Sequence, residues 1–337
     1  MEKETQFFPA YIQTDGGIPI NSFFLVMGFW DSKRVLVTGG NGFLGRWVCH
    51  ELINSGVAAE NIVVPSSRDT DLRNFENCLS VTKDVDIVFH LAGRDGGLGY
   101  NMVHPGSIFY DNIIMNLQIM EAARLSGVDK FVTAGTVAAY PENASMPFTE
   151  GELWNGIPNK DNRAYSIAKK IGVIQSEAYS AEYDFSSVHL LLTNMYGPGD
   201  VFTPEKSRVV GSLIRKFVDA KKNDMPEVVM WGTGKATREL LYVEDAARAF
   251  ILAAEKCNTC VPINVGSGIE TSIREMAETI AEIVEYSGTI TWDSTKPEGQ
   301  LRRCSDVSRA YAEFGFKANV GIRDGLEKTV EWYLDSL

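Results

Sequence analysis

The run Val35-Leu36-Val37, followed by Gly39-Gly40-Asn41-Gly42-Phe43-Leu44-Gly45, constrains this chain more than any other feature. Three apolar, mostly β-branched residues predict a short buried strand, and the spacing of apolar residues over 43–55 predicts a helix. Three glycines join the two. In such a strand–loop–helix unit Gly39 permits the tight turn, Gly42 lets the backbone approach a pyrophosphate, and Gly45 lets helix and strand pack closely. The helix N-terminus then presents free N–H groups and a partial positive charge to phosphates. In this context the spacing is that of a dinucleotide-binding loop.

The alternation continues. Strands are expected at 62–64, 85–91, from 130 and at 188–192, and helices at 109–126, 242–255 and 272–286. The last begins with Ser272 three residues before Glu275, a capping box. Strands alternating with helices predict an α/β protein: a doubly wound parallel Rossmann sheet covered on both faces. After about residue 195, loops rich in Gly and Pro loosen the rhythm, which points to a smaller C-terminal α/β region for the substrate. The expected divisions are 1–32 as an N-terminal extension, 33–190 as the dinucleotide-binding domain and 191–337 as the substrate region, with some crossover between the last two. Residues 1–26 carry no clear period, so they read as a flexible extension or as a mis-assigned start, with Met27 opening the compact enzyme.

The net charge of −12 argues against a nucleic-acid partner, which calls for a basic surface. A local cluster of arginines can still hold a small anion against that global sign. No window reaches the ~18 apolar residues of a membrane span. No charged n-region leads into a long apolar stretch, so a soluble, cytoplasmic protein is expected. The five cysteines are odd in number and scattered, unlike a secreted disulfide framework. Cys257 and Cys260 form a lone Cys-x-x-Cys with no second pair and no nearby histidine. A closed zinc site wants four ligands, so no metal is expected.

The end of the second strand bears on the cofactor. An acidic residue there accepts from the ribose hydroxyls of NAD. Here the sequence is Val64-Pro65-Ser66-Ser67-Arg68, with no acid. Arg68 can hold a 2′-phosphate as a charge-assisted pair, which favours NADP(H) over NAD(H).

Tyr165 and Lys169 stand at i and i+4, on one face of a helix. A phenol ionises near ~10, and a neighbouring cation favours the phenolate. Lys169 is thus expected to lower the Tyr165 pKa and make it a proton donor or acceptor. A further hydroxyl is needed for the reacting oxygen. Thr136 is the first candidate, after the strand at Phe131, and Thr133 the second.

With these motifs the chain resembles the extended short-chain dehydrogenase/reductases over nearly its full length, and among them the GDP-L-fucose synthases. The resemblance rests on Val37-Thr38-Gly39-Gly40, Ala92-Gly93-Arg94-Asp95-Gly96-Gly97-Leu98, Tyr140-Pro141 and the segment from Tyr165 to Lys169. It continues through Asn194-Met195-Tyr196-Gly197-Pro198, Trp231-Gly232-Thr233-Gly234 and Arg238-Glu239-Leu240-Leu241-Tyr242. It implies that Tyr165 protonates the C4 oxygen of a keto-sugar, that Lys169 holds the nicotinamide ribose and that Thr136 replaces the usual serine. It extends the cofactor contacts to Asn41, Phe43 and Leu44, to Leu72, and to Leu91, Ala92 and Gly93, with Leu192, Asn194 and Met195 at the nicotinamide. The implied partner is a nucleotide-diphosphate sugar, with Asn194, Arg208, Lys216, Trp231, Arg238 and Arg303 on the substrate side. Trp231 can stack on a base while Lys216 and Arg238 neutralise the diphosphate. A homodimer is implied as well.

The departures narrow the chemistry. The family's C3/C5 epimerisation needs a cysteine two residues after the catalytic hydroxyl and a histidine in a following loop. Those positions hold Ala138 and Arg208. Alanine transfers no proton, and arginine stays protonated and makes a poor base. The expectation is a 4-keto-sugar reductase without C3/C5 epimerase activity. Two alternatives remain open: a nucleotide-sugar C4-epimerase with tightly bound NAD, and a non-catalytic dinucleotide-binding protein.

Overall fold

A computed structural model describes residues 28–337 apart from 205 and 297–299. The expectations for residues 1–26 and for a start at Met27 lie outside the described residues. In chain order the elements are β1 (Val35–Thr38), α1 (Phe43–Asn54), β2 (Ile62–Val63), α2 (Phe75–Thr82), β3 (Ile87–His90), α3 (Gly97–Val103), α4 (Pro105–Leu125), β4 (Lys130–Thr136), α5 (Arg163–Tyr183) and β5 (Ser187–Leu192). They continue with β6 (Asn194–Tyr196), α6 (Val209–Lys222), β7 (Glu227–Trp231), β8 (Thr237–Tyr242), α7 (Val243–Lys256), β9 (Ile263–Val265), β10 (Glu270–Ser272), α8 (Ile273–Val284), β11 (Thr289–Asp293), α9 (Ser308–Phe314) and α10 (Ile322–Asp335).

Six strands form one parallel sheet in the order β2-β1-β3-β4-β5-β9. Alternate side chains of β1 serve its two faces. Val35 and Val37 pack with Val48 of α1 and Phe250 of α7. Leu36 packs with Ile119 and Met120 of α4. Each such burial contributes roughly 1.5–3 kcal/mol, and burial on both faces is why these strands read as unbroken apolar runs. The chain runs from β1 out to β2 and then returns to β3 on the other side of β1. That reversal opens a crevice beyond the carboxyl ends of the strands, where ligands of such sheets bind.

The second region is interleaved with the first. β9 and α7 come from beyond residue 190, yet β9 pairs with β5 and covers what would otherwise be an open edge. The remaining strands form a three-stranded sheet, β10-β8-β6, and a parallel pair, β11-β7. Their core gathers Tyr196, Phe217, Met276, Ile280 and Leu326. Ser272 Oγ accepts from the Glu275 N–H at 3.0 Å, as the capping pattern predicts.

One boundary differs from expectation. Trp30, assigned by sequence to the extension, is 4% exposed and belongs to the core around β1 and β3. Its indole N–H donates to the Glu255 carboxylate on α7. An isolated tryptophan ahead of the first strand has no period to betray its burial, so only the packing reveals it.

Candidate active site

The glycine loop is built as its spacing predicts. Gly39 has φ +71°, and a β-carbon there would stand 2.7 Å from the Ala92 nitrogen. A β-carbon on Gly45 would collide with the Gly39 carbonyl oxygen and the Gly40 backbone. The loop opens into a cavity of about 880 Å³. Gly39, Asn41 and Gly42 line it from one side, Leu91, Ala92 and Gly93 from the end of β3, and Arg68 and Leu72 from beyond β2. Leu44 is instead buried in the core and Phe43 packs against it, while Gly45 seats the helix. A bare-backbone cradle beside a helix N-terminus fits a dinucleotide pyrophosphate.

Arg68 is exposed on the cavity's rim next to Ser66 and Ser67. Among the described residues no carboxylate pairs with it. Its neighbours were not legible in the sequence: Arg73 and Arg94 share Asp111, at 3.0 and 2.7 Å. Against burial, which raises it, those guanidiniums hold the Asp111 carboxyl below its ordinary range. The residues lie 38 and 17 positions from Asp111, beyond any helical or strand period.

Tyr165 and Lys169 sit in the first two turns of α5. Lys169 is 5% exposed, and burial pulls its ammonium down to about 8, with Asp95 opposing. A β-carbon on Gly93 would stand 3.3 Å from its Nζ. The phenol departs from expectation. Burial, followed by the Asp95 charge, holds Tyr165 above its ordinary value, and the cation that opposes them is Arg208 rather than Lys169. The physical reason is that burial makes Lys169 give up its proton before the phenol does, while a carboxylate unforeseen in this role faces the phenol.

Thr136 ends β4, and its Oγ1 accepts from the Ala138 N–H at 3.2 Å. That bond leaves its hydroxyl proton to donate to a substrate oxygen. Thr133 is 3% exposed and donates to the His90 carbonyl within the sheet, which separates it from the cleft chemistry. His90 and His189 are both held near 3 by burial, with the Lys169 charge adding to it, so they are neutral core groups. His90 bridges Thr38 Oγ1 at 2.8 Å and Asn116 Oδ1 at 2.7 Å.

Leu192, Asn194 and Met195, expected at the nicotinamide, lie where β5 passes into β6. Arg208 precedes α6 and is bound by two carboxylates, Asp95 at 3.0 Å and Asp200 at 3.5 Å. Lys216 on α6 donates to the Val229 carbonyl. Trp231 ends β7 and is 64% exposed. Arg238 donates to the Thr237 and Gln300 carbonyls, each at 2.7 Å. Burial and the Arg238 charge bring the neighbouring Arg303 down to about 10, and its Nε is buried without a partner among the described residues. Two arginines this close favour an anion between them. Cys257 is buried, and its carbonyl accepts from the Lys130 ammonium at 2.7 Å. No group of three His, Cys, Asp or Glu that could hold a metal occurs among the described residues. No described helix is long and apolar enough to cross a membrane.

A glycine cradle at the switch point of a parallel sheet, facing a tyrosine–lysine helix, defines a dinucleotide-dependent enzyme of the short-chain reductase and epimerase class. Residues 35–266 match the model of the NAD dependent epimerase/dehydratase family, and the chain belongs to that family. It is 34% identical to GDP-L-fucose synthase 1 of Arabidopsis thaliana, over 91% of this chain and 94% of that one. A crystal structure of a GDP-L-fucose synthetase from Naegleria fowleri bound to NADP superposes with a TM-score of 0.82, at 28% identity over 92% of this chain and 95% of the other. A GDP-mannoheptose C4 reductase from Campylobacter jejuni with NADP bound superposes at 0.81, with 27% identity over 91% of this chain and all of the other.

Proposed function

We propose that this protein is an NADPH-dependent reductase of a GDP-linked 4-keto sugar that does not epimerise C3 or C5. The observation that carries the reading is the state of two positions. Ala138 stands where an epimerising relative would need a thiol. Arg208 stands where it would need a histidine, bound to Asp95 and Asp200. Neither can remove a proton from carbon, since an arginine so paired keeps its charge.

Bound NADPH supplies the hydride. The protein's own residues do the rest. Thr136 donates to the C4 oxygen, and Tyr165 delivers a proton to it as charge develops there. Lys169, packed against Gly93, holds the nicotinamide ribose. Arg68 takes the 2′-phosphate. Trp231 stacks on the base, and Lys216, Arg238 and Arg303 neutralise the diphosphate. The GDP and NADP named for the relatives support this choice of nucleotide and cofactor. We include a homodimer in the reading, which sedimentation of the purified chain checks.

The test supplies GDP-4-keto-6-deoxymannose and NADPH in deuterated water. The expected result is NADPH oxidation with no deuterium at C3 or C5 of the product. Deuterium at either carbon sinks the reading, and so does a lack of NADPH oxidation across a panel of GDP-linked 4-keto sugars.

A further inference from the structure

Arg208 joins two carboxylates brought together from different parts of the chain. Its Nη2 donates to Asp95 Oδ2 at 3.0 Å, and its Nη1 lies 3.5 Å from Asp200 Oδ1. Asp95 lies in the loop before α3, and Asp200 and Arg208 flank the loop before α6. The other Asp95 oxygen is taken as well. It accepts from the Gly97 N–H at 3.2 Å and from Asn101 Nδ2 at 2.9 Å. Gly97 has φ +78°, a left-handed turn that favours glycine and lets the loop fold back on Asp95. Asn101 carries the connection onward, because the same Nδ2 donates to Asn162 Oδ1 at 2.9 Å. Asn162 immediately precedes α5, three residues before Tyr165. Asn101 and Tyr165 line one cavity of about 200 Å³.

We infer that Asp95, Arg208 and Asp200 form a positioning triad, which clamps the α3 loop to the mouth of α6 beside Tyr165 and sets the net charge that its phenol faces. Only the chemical role given to Tyr165 rests on the reductase reading. The Asp95 carboxylate favours the neutral phenol and the Arg208 guanidinium opposes it, while Asp200 acts through Arg208. That bias keeps the proton on the phenol but makes it a weaker acid, so a proton donor needs the bias held in check. Arg208 limits it. Asp200 and Asp95 hold the guanidinium charged against its burial. Among the described residues, charged groups near the phenol also include Lys169 on its own helix, and Lys160 and Asp161, which line the small cavity with it. The groups that bias Tyr165 are thus the same groups that join the two loops.

The test reads Tyr165 directly in the full chain without substrate. The protein carries ring-labelled ¹³C-tyrosine, and the Tyr165 resonance is assigned by its loss in Tyr165→Phe. In Asp95→Asn the Tyr165 titration moves down by about one pH unit or more relative to wild type. Adding Arg208→Met to that variant moves it back up. Adding Arg208→Lys instead, which keeps the charge but not the fork, leaves it where Asp95→Asn put it. Equal titration in wild type and Asp95→Asn overturns the inference, as does a lysine variant that behaves like the methionine one. If Arg208→Met folds poorly, the Asp95→Asn and lysine arms still decide. The readout needs no turnover, so a failed reductase assay with this order intact removes the reductase reading and leaves the triad.

Discussion

Gly93 and Lys169 meet where β3 ends: a β-carbon on Gly93 would stand 3.3 Å from the Lys169 ammonium and 3.2 Å from Asn112 Oδ1. Asn112 cannot yield easily, since its amide donates to the Arg94 and Ile108 carbonyls at 2.9 and 2.7 Å. In Gly93→Ala the lysine must move instead. Overpacking of this kind costs about 1–3 kcal/mol. The expected outcome is an NADPH dissociation constant raised by about ten-fold, read by fluorescence titration, with most of the melting temperature retained. An unchanged constant would show that Lys169 has slack to give.

Gly45 has a different task. A β-carbon there meets backbone atoms of Gly39 and Gly40, which have no rotamer to change. Gly45→Ala is therefore expected to lower stability by about 1–3 kcal/mol. In urea the midpoint should fall with an unchanged slope. A stability equal to wild type would contradict the close approach of helix and loop.

The features legible in the sequence share one property: their partners are close along the chain. Gly39, Gly42 and Gly45 act within one turn, Tyr165 and Lys169 lie one helical turn apart, and Ser272 caps Glu275. The Asp95–Arg208 pair joins residues 113 positions apart, and no periodicity records such a pairing. Asp95 stands in the run from Ala92 to Leu98, but its charge partner comes from the far end of the loop before α6. β2 is two residues long, shorter than the run that predicts it, because Pro65 follows that run and removes a backbone donor. The β7 and β11 pairing and the burial of Trp30 are tertiary facts of the same kind.

Arg68 offers a cofactor prediction with an internal control. Its guanidinium has no carboxylate partner among the described residues, so replacing it removes no ion pair described in the fold. Arg68→Ala is expected to raise the KM for NADPH by roughly ten-fold or more, the worth of a charge-assisted hydrogen bond, and to leave the KM for NADH within about two-fold. Equal losses for both cofactors would place Arg68 away from the 2′-phosphate.

Lys169 couples activity to stability in opposite senses. Burial lowers its ammonium from 10.5 to about 8. Between those values the unfolded chain holds more protons than the folded one, so stability rises with pH across that window. Below it both states are charged, and the fold bears the full cost of a buried cation. Lys169→Met removes that cost. Its melting temperature near neutral pH, without cofactor, should therefore equal or exceed that of wild type. The advantage should shrink as pH rises through about 8 toward 10.5, because the wild type then sheds the proton. On the proposed reading, in which Lys169 holds the nicotinamide ribose, turnover should fall by about 100-fold or more at every pH. Calorimetric scans across that range check the first part and NADPH oxidation the second. A methionine variant that melts well below wild type near neutrality would mean that the buried ammonium is stabilised by contacts outside those described, and that its lowered proton affinity is not the controlling effect.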